Sequence, residues 1–340
     1  MQNAIFNIQQ HINKILNDAD FKNHCFRLLK ENPHFEEDFL MCEKIANINI
    51  NGLQINNNLI KLSTSFNPNQ IKNGVIGFYS YIDSLTPQMP NLTEVVKENA
   101  KYFHYDNSGK TDRSYCSTRQ LPNGQIHKEI YSNFEGRVCD ISTTIHEFCH
   151  SLSKSFLIPE PYSDENMREV CTVMCDQLSN HYLKQQYPGL TKNFNENELE
   201  TQIINVTKAR ESLLDAIVIK VVTGKLSFDQ AQAKYGYLFN NSNLIKNCVN
   251  NIETFKFSGM YEKRYLVPQA IALEMLERFK TNPQEAAKQF KEVLAHDTVW
   301  NVDYTLHYLG LPKKDELVDN YVAKFNNRVT QLKNKNVTKI

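Results

Sequence analysis

Charge of one sign is what this sequence has least of. Its 38 lysines and arginines are matched by 38 aspartates and glutamates, so the formal net charge is +0. A nucleic-acid binder depends on a basic surplus gathered on one face, and that partner class is excluded. Long hydrophobic runs are missing too. No stretch approaches the roughly 18 consecutive apolar residues of a membrane span. The opening Met1-Gln2-Asn3-Ala4-Ile5-Phe6 has no basic region leading into an apolar one, as a secretory signal would. The expectation is a cytoplasmic chain with no membrane partner. Eight cysteines are present, but none forms a C-x-x-C. The nearest pair, Cys171 and Cys175, stands at helical spacing and reads as reduced core thiols. No repeat of fixed period occurs.

What is present suffices for a packed core: 340 residues, 41% hydrophobic and 11% aromatic. The length fits two domains or one large one. We divide the chain into an N-terminal helical region with a β-hairpin, 1–105, and a mostly helical catalytic domain, 106–340. The first 45 residues read as helical. Around Asn51-Gly52, residues 47–55 alternate as a hairpin does. Residues 63–91, with several prolines, read as irregular, and Asn91 with Glu94 opens a helix to about 103. Two strand-like runs, 113–119 and 125–134, flank the turn residues Pro122-Asn123-Gly124. Asp140 then offers an N-cap for a helix to about 156, whose apolar face is Ile141, Ile145, Phe148, Leu152 and Phe156. Beyond a loop with Pro159 and Pro161, helices are expected over 164–186, 196–223, 228–238, 243–254, 268–280, 283–295 and 313–332. The fold class is mostly α, with a small β-element beside a central helix pair.

One motif carries chemistry. His146-Glu147-Phe148-Cys149-His150 is an H-E-x-x-H on a predicted helix. Four residues advance a helix by about 6 Å and little more than one turn, so both imidazoles leave the same face. That separation suits two ligands of one tetrahedral zinc ion. Glu147 stands where a general base reaches the attacking water without ligating the ion. With 10 histidines and 23 glutamates in the chain, roughly 0.02 such matches arise by chance. The structural alternative is a surface helix with two solvated histidines.

A catalytic zinc site keeps three protein ligands and one open position. Candidates for the third are Asp164, Glu165, Glu169 and Asp176. Glu169 is preferred: it lies 19 residues past His150, enough for a turn and a second helix, and Val170, Val173 and Met174 put it at the edge of a buried face. Glu165 lies nearer the helix start, where the helix dipole alone explains a carboxylate. Asp176, two turns on, is a candidate acceptor for a ligand histidine N–H, or a surface carboxylate.

The segment from Asp140 to Leu152 resembles the zinc-binding helix of the oligoendopeptidase F and thimet oligopeptidase family. Arg113-Ser114-Tyr115-Cys116 and Ile130-Tyr131-Ser132-Asn133-Phe134-Glu135-Gly136 are similar to the strands before that helix. The run Glu169-Val170-Cys171-Thr172-Val173-Met174-Cys175-Asp176 is similar to the family's second helix, whose leading glutamate is the third ligand. Phe257 to Tyr265 falls where the family carries tyrosines that bind the substrate carbonyl. The resemblance implies a zincin-like, mostly helical metallopeptidase with one Zn2+ per chain between two helices, His146, His150 and Glu169 as ligands, and Tyr265 or Tyr261 as oxyanion donor. The chain departs from the family in four ways. It has Cys149 for a glycine, a shorter link from His150 to Glu169, no histidine from Glu253 to Met260, and much less length.

The expected activity is zinc-dependent endopeptidase cleavage, with Glu147 as base and the strand at 125–134 holding the substrate backbone by strand addition. The partner is a peptide or protein substrate. Two alternatives are a compact protease delivered into host cells to cut one folded protein, and a metal-free relic used as a binding module. Retention of all four of His146, Glu147, His150 and Glu169 speaks against the relic.

Overall fold

A computed structural model describes residues 18–53, 55, 67–104, 114–120, 126–133, 137, 139–153, 165–253 and 257–337. In chain order its helices are α1 (Ala19–Glu31), α2 (Phe35–Ala46), α3 (Pro68–Leu85), α4 (Leu92–Asn99), α5 (Asp140–Leu152), α6 (Glu165–Gln186), α7 (Thr191–Val222), α8 (Phe228–Phe239), α9 (Ser242–Glu253), α10 (Leu266–Thr281), α11 (Pro283–Ala295), α12 (Val302–Tyr308) and α13 (Lys314–Val337). Three strands, β1 (Phe103–His104), β2 (Tyr115–Gln120) and β3 (Ile126–Tyr131), form one sheet in the order β1-β3-β2. The fold is mostly α with a minor β-element, as expected. No helix among the described residues is long and apolar enough to cross a membrane.

The chain folds as two compact units. The first takes 1–51, 203–266 and 322–340, and the second 52–202 and 267–321. In the first, α1 and α2 contribute Cys25, Phe39, Cys42 and Ile45 to a core shared with Val206, Leu213, Ile217 and Leu238. Arg210 donates to the carbonyls of Ala46 and Ile48, satisfying acceptors at and beyond the end of α2. The residues expected as a hairpin, as far as they are described, form a turn and no strand. Gly52 takes φ +80°, which suits Asn-Gly, but Ile48 turns inward and is buried. Gln54 and 56–66 lie outside the described residues.

In the second unit α5 is central: α6, α3, α4, β2 and β3 all pack on it. Its inward face is Ile141, Ile145, Phe148 and Cys149. The sheet lies against it through Ile130, and Phe103 meets Phe148 with ring centroids 5.6 Å apart. Lys128 on β3 donates to the carbonyl of Ser151 at 2.7 Å, a cation at the carbonyl end of α5.

Three expectations about elements are corrected. Residues 63–91 are not irregular throughout, since α3 fills 68–85. Pro68 opens it at the first helical position, and Asn67 and Gln70 close a capping box there. The later prolines follow its end. Asp140 is not the N-cap of α5 but its first residue. Cys139 precedes the helix, and the Asp140 carboxylate accepts the Arg137 N–H at 2.9 Å. The helix stops at Leu152, and 154–156 lie outside the described residues. Finally, the strand expected to bind substrate, here β3, is the middle strand. It pairs with β1 in parallel and with β2 in antiparallel register, Cys116 opposite Ile130 and Thr118 opposite Lys128. β2 covers one edge along its whole length and β1 covers only the 130–131 end of the other, so among the described residues just the 126–129 stretch of that edge is left to an added strand. Among the described strands, β2 keeps the longer open edge.

Candidate metal centre

His146 and His150 stand one turn apart on α5, with ring centroids 4.8 Å apart. Glu169 comes from the first turn and a half of α6, on a face buried through Val170, Val173 and Met174. Its Oε2 lies 3.7 Å from His146 Nε2 and 3.6 Å from His150 Nε2. One ligand atom from each of the three residues falls within 4.8 Å of the others. Donors at about 2.0–2.2 Å around a tetrahedral zinc ion stand about 3.4 Å apart, so two imidazoles and one carboxylate fit that ion with small adjustments. Among the described residues no other group of three such side chains converges this way.

The surroundings prepare each ligand. Asp176, about two turns beyond Glu169 on α6, accepts from His146 Nδ1 at 3.0 Å. A carboxylate offers only lone pairs, so Nδ1 carries the proton and Nε2 is the nitrogen left to face an ion. Thr172, fully buried, stands 3.2 Å from Glu169 Oε2 and 3.0 Å from the Glu169 carbonyl. Burial alone would lower the His146 pKa, but the carboxylates of Asp176, Glu147 and Glu169 push it up to about 10. The field at this point favours a cation.

Glu147 is buried beside its neighbours rather than solvated. Burial pushes its carboxyl up to about 7, against the pull of His146, with Glu169 and Asp176 adding to the rise. The backbone N–H of Cys116 donates to it. An N–H aimed at α5 is not paired to β3, which puts the open edge of β2 beside this carboxylate.

The structure therefore brings His146, Glu147, His150, Glu169 and Asp176 together. The side chain of Glu165 and the whole of Asp164 lie outside the described residues. The tyrosines belong to the first unit, in a 3-10 turn over Tyr261–Tyr265. Tyr265 accepts from Arg264 at 2.7 Å, and Lys208 Nζ stands 3.5 Å from its ring centroid. The Tyr261 side chain lies outside the described residues. Sequence reasoning missed Thr172 and the Cys116 N–H. A threonine three residues past a ligand carboxylate is the signal that would have found the first. The cysteines form no disulfide, and Cys149, at the glycine position of the resembling family, is fully buried with Cys175 beside it.

This buried H-E-x-x-H with a glutamate from the next helix is the active-site arrangement of a zinc-dependent metalloendopeptidase. Comparison of the chain with protein-family models, with curated proteins and with solved structures finds no match.

Proposed function

We propose that the chain is a divergent zinc endopeptidase of the oligoendopeptidase F and thimet oligopeptidase type, acting on peptides or extended protein segments. The observation that carries the reading is the convergence of His146, His150 and Glu169 with the buried Glu147 between them. The resemblance around 113–176 supports the family. His146 Nε2, His150 Nε2 and a Glu169 carboxylate oxygen would hold one zinc ion. When bound, zinc supplies a Lewis acid that polarises the scissile carbonyl and lowers the pKa of water to about 7.

The chain's own groups do the rest. The Glu147 carboxylate takes a proton from the attacking water and returns it to the leaving amine. The same carboxyl accepts the proton in the first transfer and, once protonated, donates it in the second. The edge of β2 left open among the described strands offers backbone groups to an extended substrate, as an alternative to the strand first expected. Tyr265, with Tyr261 as alternative, is assigned the hydrogen bond to the developing oxyanion, and Tyr265→Phe is expected to lower kcat by roughly 10²-fold with little change in KM.

The deciding experiment pairs metal analysis with Glu147→Gln. The parent is expected to carry one zinc per chain and to cleave quenched peptides. The variant keeps metal and fold and loses nearly all turnover. Activity of the variant within threefold of the parent overturns Glu147 as base, and a parent purified without metal overturns the reading.

A further inference from the structure

The two ligand helices are not joined to each other alone. Helix α3 lies against both, and at their common junction it places one polar atom, the hydroxyl of Tyr79. The residue is fully buried. Its hydroxyl lies 3.1 Å from the carbonyl of Ile145 on α5 and 3.8 Å from Cys175 Sγ on α6. A carbonyl has no proton to give, so the single phenolic proton goes to Ile145, and the Cys175 thiol donates to the phenol oxygen. Cys149, between the two histidines, hydrogen-bonds to the same hydroxyl. Burial holds the phenol well above its usual range, so it stays a neutral donor.

The positions contacted matter more than the bonds themselves. Ile145 directly precedes His146, and Cys175 directly precedes Asp176. Those two side chains form the bond that fixes the imidazole. Tyr79 thus links the backbone of α5 to a side chain of α6, one residue behind the pair that orients the ligand. Helix α3 reaches this junction because it has no Cβ at two places. A Cβ at Gly74 would lie 2.9 Å from Cγ2 of Ile141 on α5, and one at Gly77 would lie 2.6 Å from the hydroxyl of Tyr182 on α6. Both glycines let α3 sit close to a ligand helix, and Tyr79 follows them by two and five residues.

We propose that Tyr79 is a positioning residue for the metal centre, its hydroxyl setting how α5 and α6 stand so that the three ligand atoms converge. The proposal rests on reading His146, His150 and Glu169 as metal ligands. A functional constellation tolerates only about 0.5 Å of error. A small slide of α6 along α5 would carry Glu169 Oε2 away from both imidazoles. The competing account is a buried tyrosine whose hydroxyl is merely satisfied. That account predicts lost stability and unchanged metal affinity.

The test measures the zinc dissociation constant, by competition with a chromophoric chelator, beside the melting temperature of metal-stripped protein. Tyr79→Phe removes one oxygen and keeps the ring's packing. We expect zinc affinity to fall roughly tenfold, the scale of outer-shell losses at metal sites, and the zinc-induced rise in Tm to shrink with it. Parent-like affinity in Tyr79→Phe, even with a lowered Tm, overturns the proposal. Should that variant fail to fold, Cys175→Ala decides: it removes one partner of the hydroxyl and leaves the bond to Ile145. A smaller loss of affinity supports the positioning role, and none overturns it. A parent that binds no zinc overturns the metal reading and this proposal together. A parent that binds zinc, with both variants equal to it, overturns this proposal alone.

Discussion

Thr172 touches no ion and yet bears on how tightly one is held. Its hydroxyl lies against Glu169 Oε2, the atom nearest both imidazoles. Thr172→Val keeps the shape and removes the hydrogen bond, so the carboxylate regains torsional freedom. We expect zinc affinity roughly tenfold weaker, read by chelator competition, with peptide KM nearly unchanged. Equal affinity would assign the hydroxyl to the helix carbonyl alone. At this scale the sequence spoke where chemistry is local. The histidines and Glu147 were legible because four-residue spacing on a helix dictates a shared face. Glu169 was legible through its apolar neighbours. The Cys116 N–H was not, because it meets Glu147 only once β2 has folded against α5, and a backbone donor leaves no trace in composition.

Helices were read well where a cap and an apolar stripe agreed. Asn282 before Pro283 gave α11 with the expected limits, and Asn282 Oδ1 accepts the Glu285 N–H. Helix α3 was lost because its glycines and flanking prolines look like breakers. Those glycines serve close packing, which appears only in three dimensions. The end of α3 shows how elements are then joined. Asp83 accepts from Leu92 N, Thr93 N and Thr93 Oγ1 at the start of α4, and from Lys291 Nζ of α11 at 2.6 Å. Lys291 is almost wholly buried and also donates to the Pro90 carbonyl. Lys291→Met strands the Asp83 charge against its remaining donors. We expect about 3–5 kcal/mol of lost stability in urea unfolding. A change under about 1 kcal/mol would mean that the α4 donors alone satisfy Asp83.

Two aspartates of opposite habit, one in each unit, each contribute to how stability depends on pH. Burial works against ionised Asp83, but Lys291, Thr93 and Leu92 outweigh it and hold its carboxyl below the usual range. Its contribution is full above the unfolded pKa of about 3.9 and is lost as pH falls through the folded value. Asp215, on α7, goes the other way. Burial pushes it up to about 7, with Glu211 and Glu262 adding like charge, while the Cys248 thiol and the Met260 N–H favour the ion. Between about 3.9 and 7 the folded chain therefore keeps a proton that the unfolded chain releases. Stability from this group is full below the lower value and falls as pH rises, by at most about 1.4 kcal/mol per unit, and levels off above 7. Asp215→Asn keeps a carbonyl oxygen for the Met260 N–H and cannot ionise. Parent and variant should thus differ by a constant amount below pH 4, and the variant should gain on the parent from pH 4 to 7 and hold that gain at higher pH. Melting temperatures of metal-stripped protein across pH 4–9 measure this. Parallel profiles would mean that Asp215 ionises at its ordinary value in the folded chain.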